Sequence, residues 1–155
     1  MNDYLAQYNV AMLKAAPADL PDFEAEVERV NTKGDAAPGF MWRYATPGEA
    51  NSLDDTVGPY IINLTVWRTM DDLWNFTFSG DHLDMLRRRR DWFVPGEMTN
   101  ILWWVHEADL WPTPAEAEAR VCYFWENGPS PVAFTWKTMP IPDLRSSDEQ
   151  GTVQQ

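Results

Sequence analysis

The sequence predicts one α+β domain of the ferredoxin-like, split βαβ kind with an added C-terminal helix, and three observations lead there. The chain has 155 residues, enough for one substantial core and too few for two ordinary domains. Strand-like and helix-like periodicities follow one another in the order β-α-β-β-α-β. Both parities of the strand segments carry large apolar side chains, so each face of the resulting sheet needs cover. The domain is expected to span 1–142, with the polar stretch 143–155 as a mobile tail.

Taken in order, "YLAQYNVAML" (Tyr4 to Leu13) reads as a strand. "DLPDFEAEVERVNTKGDAA" reads as a helix, with Phe23, Val27 and Val30 at helical spacing and Asp19 as the expected N-cap. "PGF" turns the chain into a strand over "FMWRYA", and after a loop rich in Gly, Pro and Asp, "YIINLTVW" (Tyr60 to Trp67) is the clearest strand in the chain. A helical region starts at Met70, is interrupted near Ser79 and Gly80, and resumes through "HLDMLRRRRDWF". "NILWWVHE" (Asn100 to Glu107) is the next strand. "TPAEAEARVCYFWENG" carries a full set of helix signals: Thr113 as N-cap, Pro114 at the first position, Glu116 closing a capping box and Gly128 as the stop. "VAFTWKTM" predicts a last short extended segment.

Composition removes several function classes. A formal net charge of −12 and a pI near 4.4 disfavour nucleic acid, whose affinity depends on many cations acting together. A lone cysteine, Cys122, leaves no intrachain disulfide and reads as a small apolar filler. "MNDYLAQYNV" lacks a charged start followed by an apolar stretch, and nowhere do about 18 apolar residues run together, so a soluble cytoplasmic protein without membrane association is expected. Nine tryptophans, seven phenylalanines and five tyrosines make aromatic bulk the main filler of the interior.

The four consecutive arginines, Arg87 to Arg90, are not one patch if the helix is continuous. On a wheel of roughly 100° per residue, Met85, Leu86, Arg89 and Phe93 fall within about 60° of His82, while Arg87 and Arg88 look outward toward acidic neighbours. Arg89 and His82 then admit two readings: a snorkelling cation beside a satisfied core histidine, or two polar handles facing a ligand. His82 lies near a helix start with Arg89 on its stripe, which favours the neutral imidazole a general base needs. A second constellation lies on the strands, where Gln7 and Asn9 share one parity and Asn63, Thr65 and Trp67 share another. Such polar groups inside apolar strands line either a cavity or a hydrated dimer seam, and the cavity is preferred. Because both sheet faces are apolar, a homodimer packing sheet against sheet is the simplest assembly.

The stretches "LAQYNVAMLKA", "PGFMWR", "INLTVWRTMDDLWNF", "HLDMLRRRRDWF", "LWWV" and "NGPSPVAFTW" resemble, in order and spacing, the bacterial family called domain of unknown function 3291. That family is similar in turn to the dimeric α/β-barrel superfamily, which includes antibiotic biosynthesis monooxygenases, haem-degrading monooxygenases, chlorite dismutase-like haem enzymes and small lactone isomerases. The resemblance implies a dimeric α/β barrel. Where many members have Gly-His ahead of the Pro-Thr helix start, this chain has Leu110 and Trp111.

Among chemistries, the two histidines, His82 and His106, have no local metal-ligand spacing, no Gly-rich phosphate loop follows a strand, and "NGPSP" is not a nucleophile elbow. By elimination, an enzyme on this scaffold binds an aromatic or polycyclic small molecule between sheet and helices without nucleotide or metal cofactor. Expected catalytic residues are His82 and Arg89; expected substrate-binding residues are Gln7, Asn9, Trp42, Asn63, Thr65, Trp67, Phe93, Trp104 and Trp111. Cofactor-free oxygenation, cyclisation or isomerisation, of secondary-metabolism type, suits such a set. The alternative is a haem- or ligand-binding homodimer without catalysis, with haem held through His82 or His106.

Overall fold

A computed structural model describes residues 3–44, 60–78 and 80–138, and the side chains of Pro17, Asp81, His82, Glu97 and Met98 lie outside that description. The expected domain boundary at residue 142 and the tail 143–155 also lie outside the described residues. Four strands, β1 (Asp3–Leu13), β2 (Phe40–Arg43), β3 (Tyr60–Trp67) and β4 (Phe93–His106), form one sheet in the order β2-β3-β1-β4. Every neighbouring pair is antiparallel. Helices α1 (Phe23–Asp35), α2 (Met70–Thr77), α3 (Gly80–Arg87) and α4 (Arg89–Trp92) connect the strands. This is the ferredoxin-like α+β arrangement, and α5 (Pro114–Asn127) is added to it.

Local chemistry explains most element ends. In α5, Thr113 Oγ1 accepts from the Glu116 N–H at 3.1 Å, Pro114 occupies the first turn, and Gly128, at φ 80°, stops the helix. Helix α1 starts later than expected. Asp19 belongs to a short 3-10 turn, Pro17–Asp19, and Pro21 disfavours helical geometry at Leu20, so the helix proper begins at Phe23 after Asp22 at φ 64°. Strand β4 starts seven residues earlier than expected, at Phe93, through an irregular register in which Ala11 faces Met98 and Leu13 faces Phe93. The "VAFTWKTM" segment is not a strand. Phe134 bridges Leu102 and Ala133 bridges Ser130, and Thr135 and Thr138 then bond one another in a turn that ends the extension.

The arginine run departs from a single wheel. Arg88, at φ −93° and ψ 6°, separates α3 from α4, and Phe93 is already strand. The break follows from Trp92, 1% exposed, whose Nε1 donates to Pro21 O at 3.0 Å and whose ring meets Phe23 edge-on at 5.6 Å. Seating that indole on α1 requires a turn that a continuous helix would point elsewhere. Arg87 and Arg88 face outward to Asp84 and Asp91 at 3.8 and 3.2 Å, and Arg88 also stacks on Trp92 at 4.6 Å.

Helices α1 to α4 cover one sheet face. Trp67, Leu5 and Leu73 pack at one end and Leu13, Phe23, Val27 and Trp92 at the other. The opposite face, expected to need a second copy, is covered by α5 within the chain: Ala117, Val121 and Phe124 pack on Tyr8, Ile101 and Trp103, which are 2%, 1% and 0% exposed. Val121 takes the inward position, so Cys122, one residue on, is exposed rather than a core filler.

Tyr8 records how α5 is held. Burial first, and the Glu118 carboxylate next, push its phenol well above the ordinary value of 10.0, and Glu118 is also its hydrogen-bond partner. The native state therefore keeps a proton that the unfolded chain loses from about pH 10. Stability from the protonated phenol is fully present below that pH and is lost as pH rises beyond it. Tyr8→Phe is expected to cost about 1 kcal/mol at pH 7. Urea unfolding should show this gap narrowing above about pH 10, because only the wild type carries the ionising group; a gap that widens there would contradict the assignment.

Candidate functional site

On the helix-covered face the strand registers bring the polar residues into rows. Asn9 faces Asn63 on one side and Asn100 on the other, so three asparagines cross the sheet in line. One row along, Gln7 lies between Thr65 and Leu102. These rows form the floor of a cavity of about 220 Å³ between the sheet and helices α1, α2 and α3. Val27, Val30, Met85 and Phe76 contribute apolar walls, and Trp67 and Phe93 stand at its ends. The alternative of a dimer seam for these polar groups is set aside by this enclosure.

The floor is partly wired and partly open. Trp67 Nε1 donates to Thr65 Oγ1 at 2.9 Å, and Thr65 Oγ1 lies 3.4 Å from Gln7 Oε1, so three largely buried groups form a chain. Asn63 Oδ1 accepts from Arg43 Nη1 at 2.7 Å. Among the described residues Asn100 Oδ1 is buried with no hydrogen-bond partner. Leaving such an acceptor unmet costs about 1–3 kcal/mol.

Of the expected site residues, Gln7, Asn9, Asn63, Thr65, Trp67, Phe93 and Arg89 line this cavity. Arg89 is exposed, donates from Nη1 to Leu86 O at 2.9 Å, and marks the rim. It does not share a helical stripe with His82, because α3 ends at Arg87. His82 belongs to α3, which borders the cavity through Met85 and Leu86, while its side chain is outside the described residues. His106 ends β4 with its ring on Asp3 Oδ1 at 2.7 Å, 63% exposed and apart from the cavity.

Three expected tryptophans are elsewhere. Phe40 faces Trp67 but Trp42 faces Val66, so β2 carries a bulge that turns Trp42 onto the α5 face. There it meets Trp111, which is 60% exposed, at 5.6 Å. Trp104, opposite Leu5, packs into the apolar cluster beyond the cavity end. The same bulge delivers a residue that the sequence reading missed: Arg43, opposite Thr65, projects onto the cavity face with its side chain 14% exposed. The signal was a cation inside "FMWRYA", but its face depends on the bulge.

The chain belongs to the family described as Domain of unknown function (DUF3291), which matches residues 4–150. Solved structures of the same fold include a substituted form of SnoaB, a cofactor-independent oxygenase from Streptomyces nogalater, 16% identical over 69% of this chain and 96% of that one, with a TM-score of 0.51. A second is a putative antibiotic biosynthesis monooxygenase from Nitrosomonas europaea, 12% identical over 72% and 94%, with a TM-score of 0.51. A third is Rv0793 from Mycobacterium tuberculosis, 12% identical over 67% and 96%, with a TM-score of 0.52. These likenesses show the fold, a ferredoxin-like arrangement shared with each of these proteins. No curated protein matches the chain.

The unmet acceptor gives a direct test of whether the amide row serves binding. Asn100→Leu, similar in size and free of the orphan oxygen, is expected to leave stability unchanged or raise it by up to about 1–2 kcal/mol in urea unfolding. A loss above about 1 kcal/mol would instead make Asn100 a structural member of the floor.

Proposed function

We propose that the cavity is the active site of a small-molecule enzyme that works without nucleotide or metal cofactor on an aromatic substrate. The observation that carries this reading is the amide-floored, aromatic-ended cavity, since ligand sites combine apolar walls with a few placed polar groups. Its volume of about 220 Å³ favours a small, ring-sized substrate over an extended polycycle. Gln7, Asn9, Asn63 and Asn100 supply donors and acceptors, and Trp67 and Phe93 supply ring contacts. His82 is the proposed proton-transfer residue and Arg89 the proposed rim cation. The fold shared with SnoaB is compatible with oxygenation, and cyclisation and isomerisation use the same parts: a held ring, a moved proton and a stabilised oxyanion. Among the described residues no group of three or more His, Cys, Asp and Glu could hold a metal ion, and no helix is long and apolar enough to cross a membrane. A cytoplasmic location is part of the proposal.

The test offers phenols and hydroquinones of one or two rings in air and follows oxygen uptake and product mass. Conversion by the wild type should slow by about 10²- to 10⁴-fold in His82→Gln with the fold retained. Turnover that survives Ala11→Phe, which fills the cavity floor, would overturn the site assignment. A Soret band that disappears in His82→Gln would move the protein to the haem-binding alternative.

A homodimer is also proposed, now through α5 and its surroundings, where Trp125 is 72%, Trp111 60% and Tyr123 39% exposed. Light scattering at micromolar concentration should give twice the chain mass of 17.9 kDa; the single-chain mass would dismiss it.

A further inference from the structure

The cavity's charge is at odds with that of the chain. Acidic residues outnumber basic ones by 24 to 12, yet among the described residues the cavity lining holds two arginines, Arg43 and Arg89, and no aspartate or glutamate. The two are not equivalent. Arg89 is exposed at the rim, where water competes for any anion, while the Arg43 side chain is 14% exposed. Its guanidinium carbon lies over the Phe40 ring, 5.4 Å from the centroid, and Asn63 fixes Nη1 at 2.7 Å. Nε donates to Asp35 Oδ1 at 3.1 Å, and that carboxylate is 56% exposed. Two of five N–H groups are thus engaged, and among the described residues the other three have no hydrogen-bond acceptor. The helix gives way to this head: a Cβ at Gly34 would lie 3.0 Å from Arg43 Nη2 and 3.1 Å from Phe76 Cζ, so glycine in the last turns of α1 lets the guanidinium sit against the backbone.

We infer that the substrate is an organic anion, an aromatic carboxylate or an equivalent ring oxyanion, and that Arg43 is the group that binds its charge. The inference rests on the cavity being the active site and names the class of molecule it takes. The ring lies against Trp67 and Phe76, which stack at 5.2 Å, and its anionic end meets the uncommitted side of the Arg43 fork, a geometry suited to planar oxyanions. Asp35 competes for the same cation from the solvent side and tempers its affinity.

The probes are 2-naphthoate and its neutral counterpart 2-naphthamide, titrated calorimetrically into the full chain. Naphthoate should bind the wild type more tightly than naphthamide. Arg43→Gln should weaken naphthoate by about 10- to 100-fold and leave naphthamide unchanged. Asp35→Asn removes the competing carboxylate and should tighten naphthoate by about 2- to 5-fold, a gain that a purely structural Arg43–Asp35 pair would not give. If Arg43→Gln does not fold, the Asp35→Asn result decides alone. Equal binding of both probes, insensitive to Arg43→Gln and to Asp35→Asn, overturns the anion inference and leaves the cavity as a neutral-ligand site. An effect confined to Arg89→Gln moves the charge-binding role to the rim and overturns the assignment to Arg43. If neither probe binds, the active-site reading of the cavity falls and this inference falls with it.

Discussion

Strand β1 is hydrogen-bonded along both edges, and the rest of the molecule is arranged around that constraint. Each residue from Leu5 to Ala11 is matched to one on β3 and one on β4, so its side chain direction is fixed by two ladders at once. The odd positions Leu5, Gln7, Asn9 and Ala11 face helices α1 to α4, and the even positions Tyr4, Ala6 and Tyr8 face α5. A slip of one residue would send the amides under α5 and Tyr8 into the cavity. The alternation between an aliphatic-aromatic face and an amide-bearing face is therefore what makes the register unique.

That alternation is a short-range property, which is why it could be read from the sequence. The parity of Gln7 and Asn9, and of Asn63, Thr65 and Trp67, needed only the period of a strand. Joining the two sets needed the ferredoxin-like pairing, which followed from the order of elements. The Thr113 N-cap and the Gly128 stop of α5 are likewise local, and the helix runs between them as expected. What α5 packs against is not local. Nothing within "TPAEAEARVCYFWENG" says that Glu118 reaches Tyr8 or that the helix covers the sheet face otherwise assigned to a second copy.

The exchange of Trp42 for Arg43 and the broken arginine wheel share one kind of cause, a local departure from regular geometry that re-aims the side chains after it. At β2 one extra residue moved Trp42 to the α5 face and brought Arg43 to the cavity, exchanging an expected wall for an unexpected cation. At Arg88 one non-helical residue ended the wheel that had aligned His82, Arg89 and Phe93. Arg89 and Phe93 still reach the cavity, Arg89 from α4 and Phe93 from the start of β4, because Trp92 between them is anchored on Phe23 and Pro21 O. A buried indole about seventy residues from its partners in the chain outweighs the helical preference of the arginines, and periodicity contains no term for such a contact.

The cavity persists because the apolar packing of the helical face is concentrated at its two ends. Leu5, Trp67, Leu73, Leu102 and Phe134 close one end, and Leu13, Phe23, Val27 and Trp92 close the other. Between them Gln7, Asn9 and Ala11 present two amides and a methyl group where larger apolar side chains would have brought the helices down onto the sheet. The end clusters act as props that hold α1 and α2 away from the floor, and their burial offsets the desolvation of Thr65, Gln7 and Asn100. The polar residues of the cavity floor thus lie where the core is thinnest. Trp67 and Phe93 belong both to an end cluster and to the cavity wall. Those two rings carry the height of the props into the shape of the site, so a change in packing at either end is felt by whatever occupies the middle.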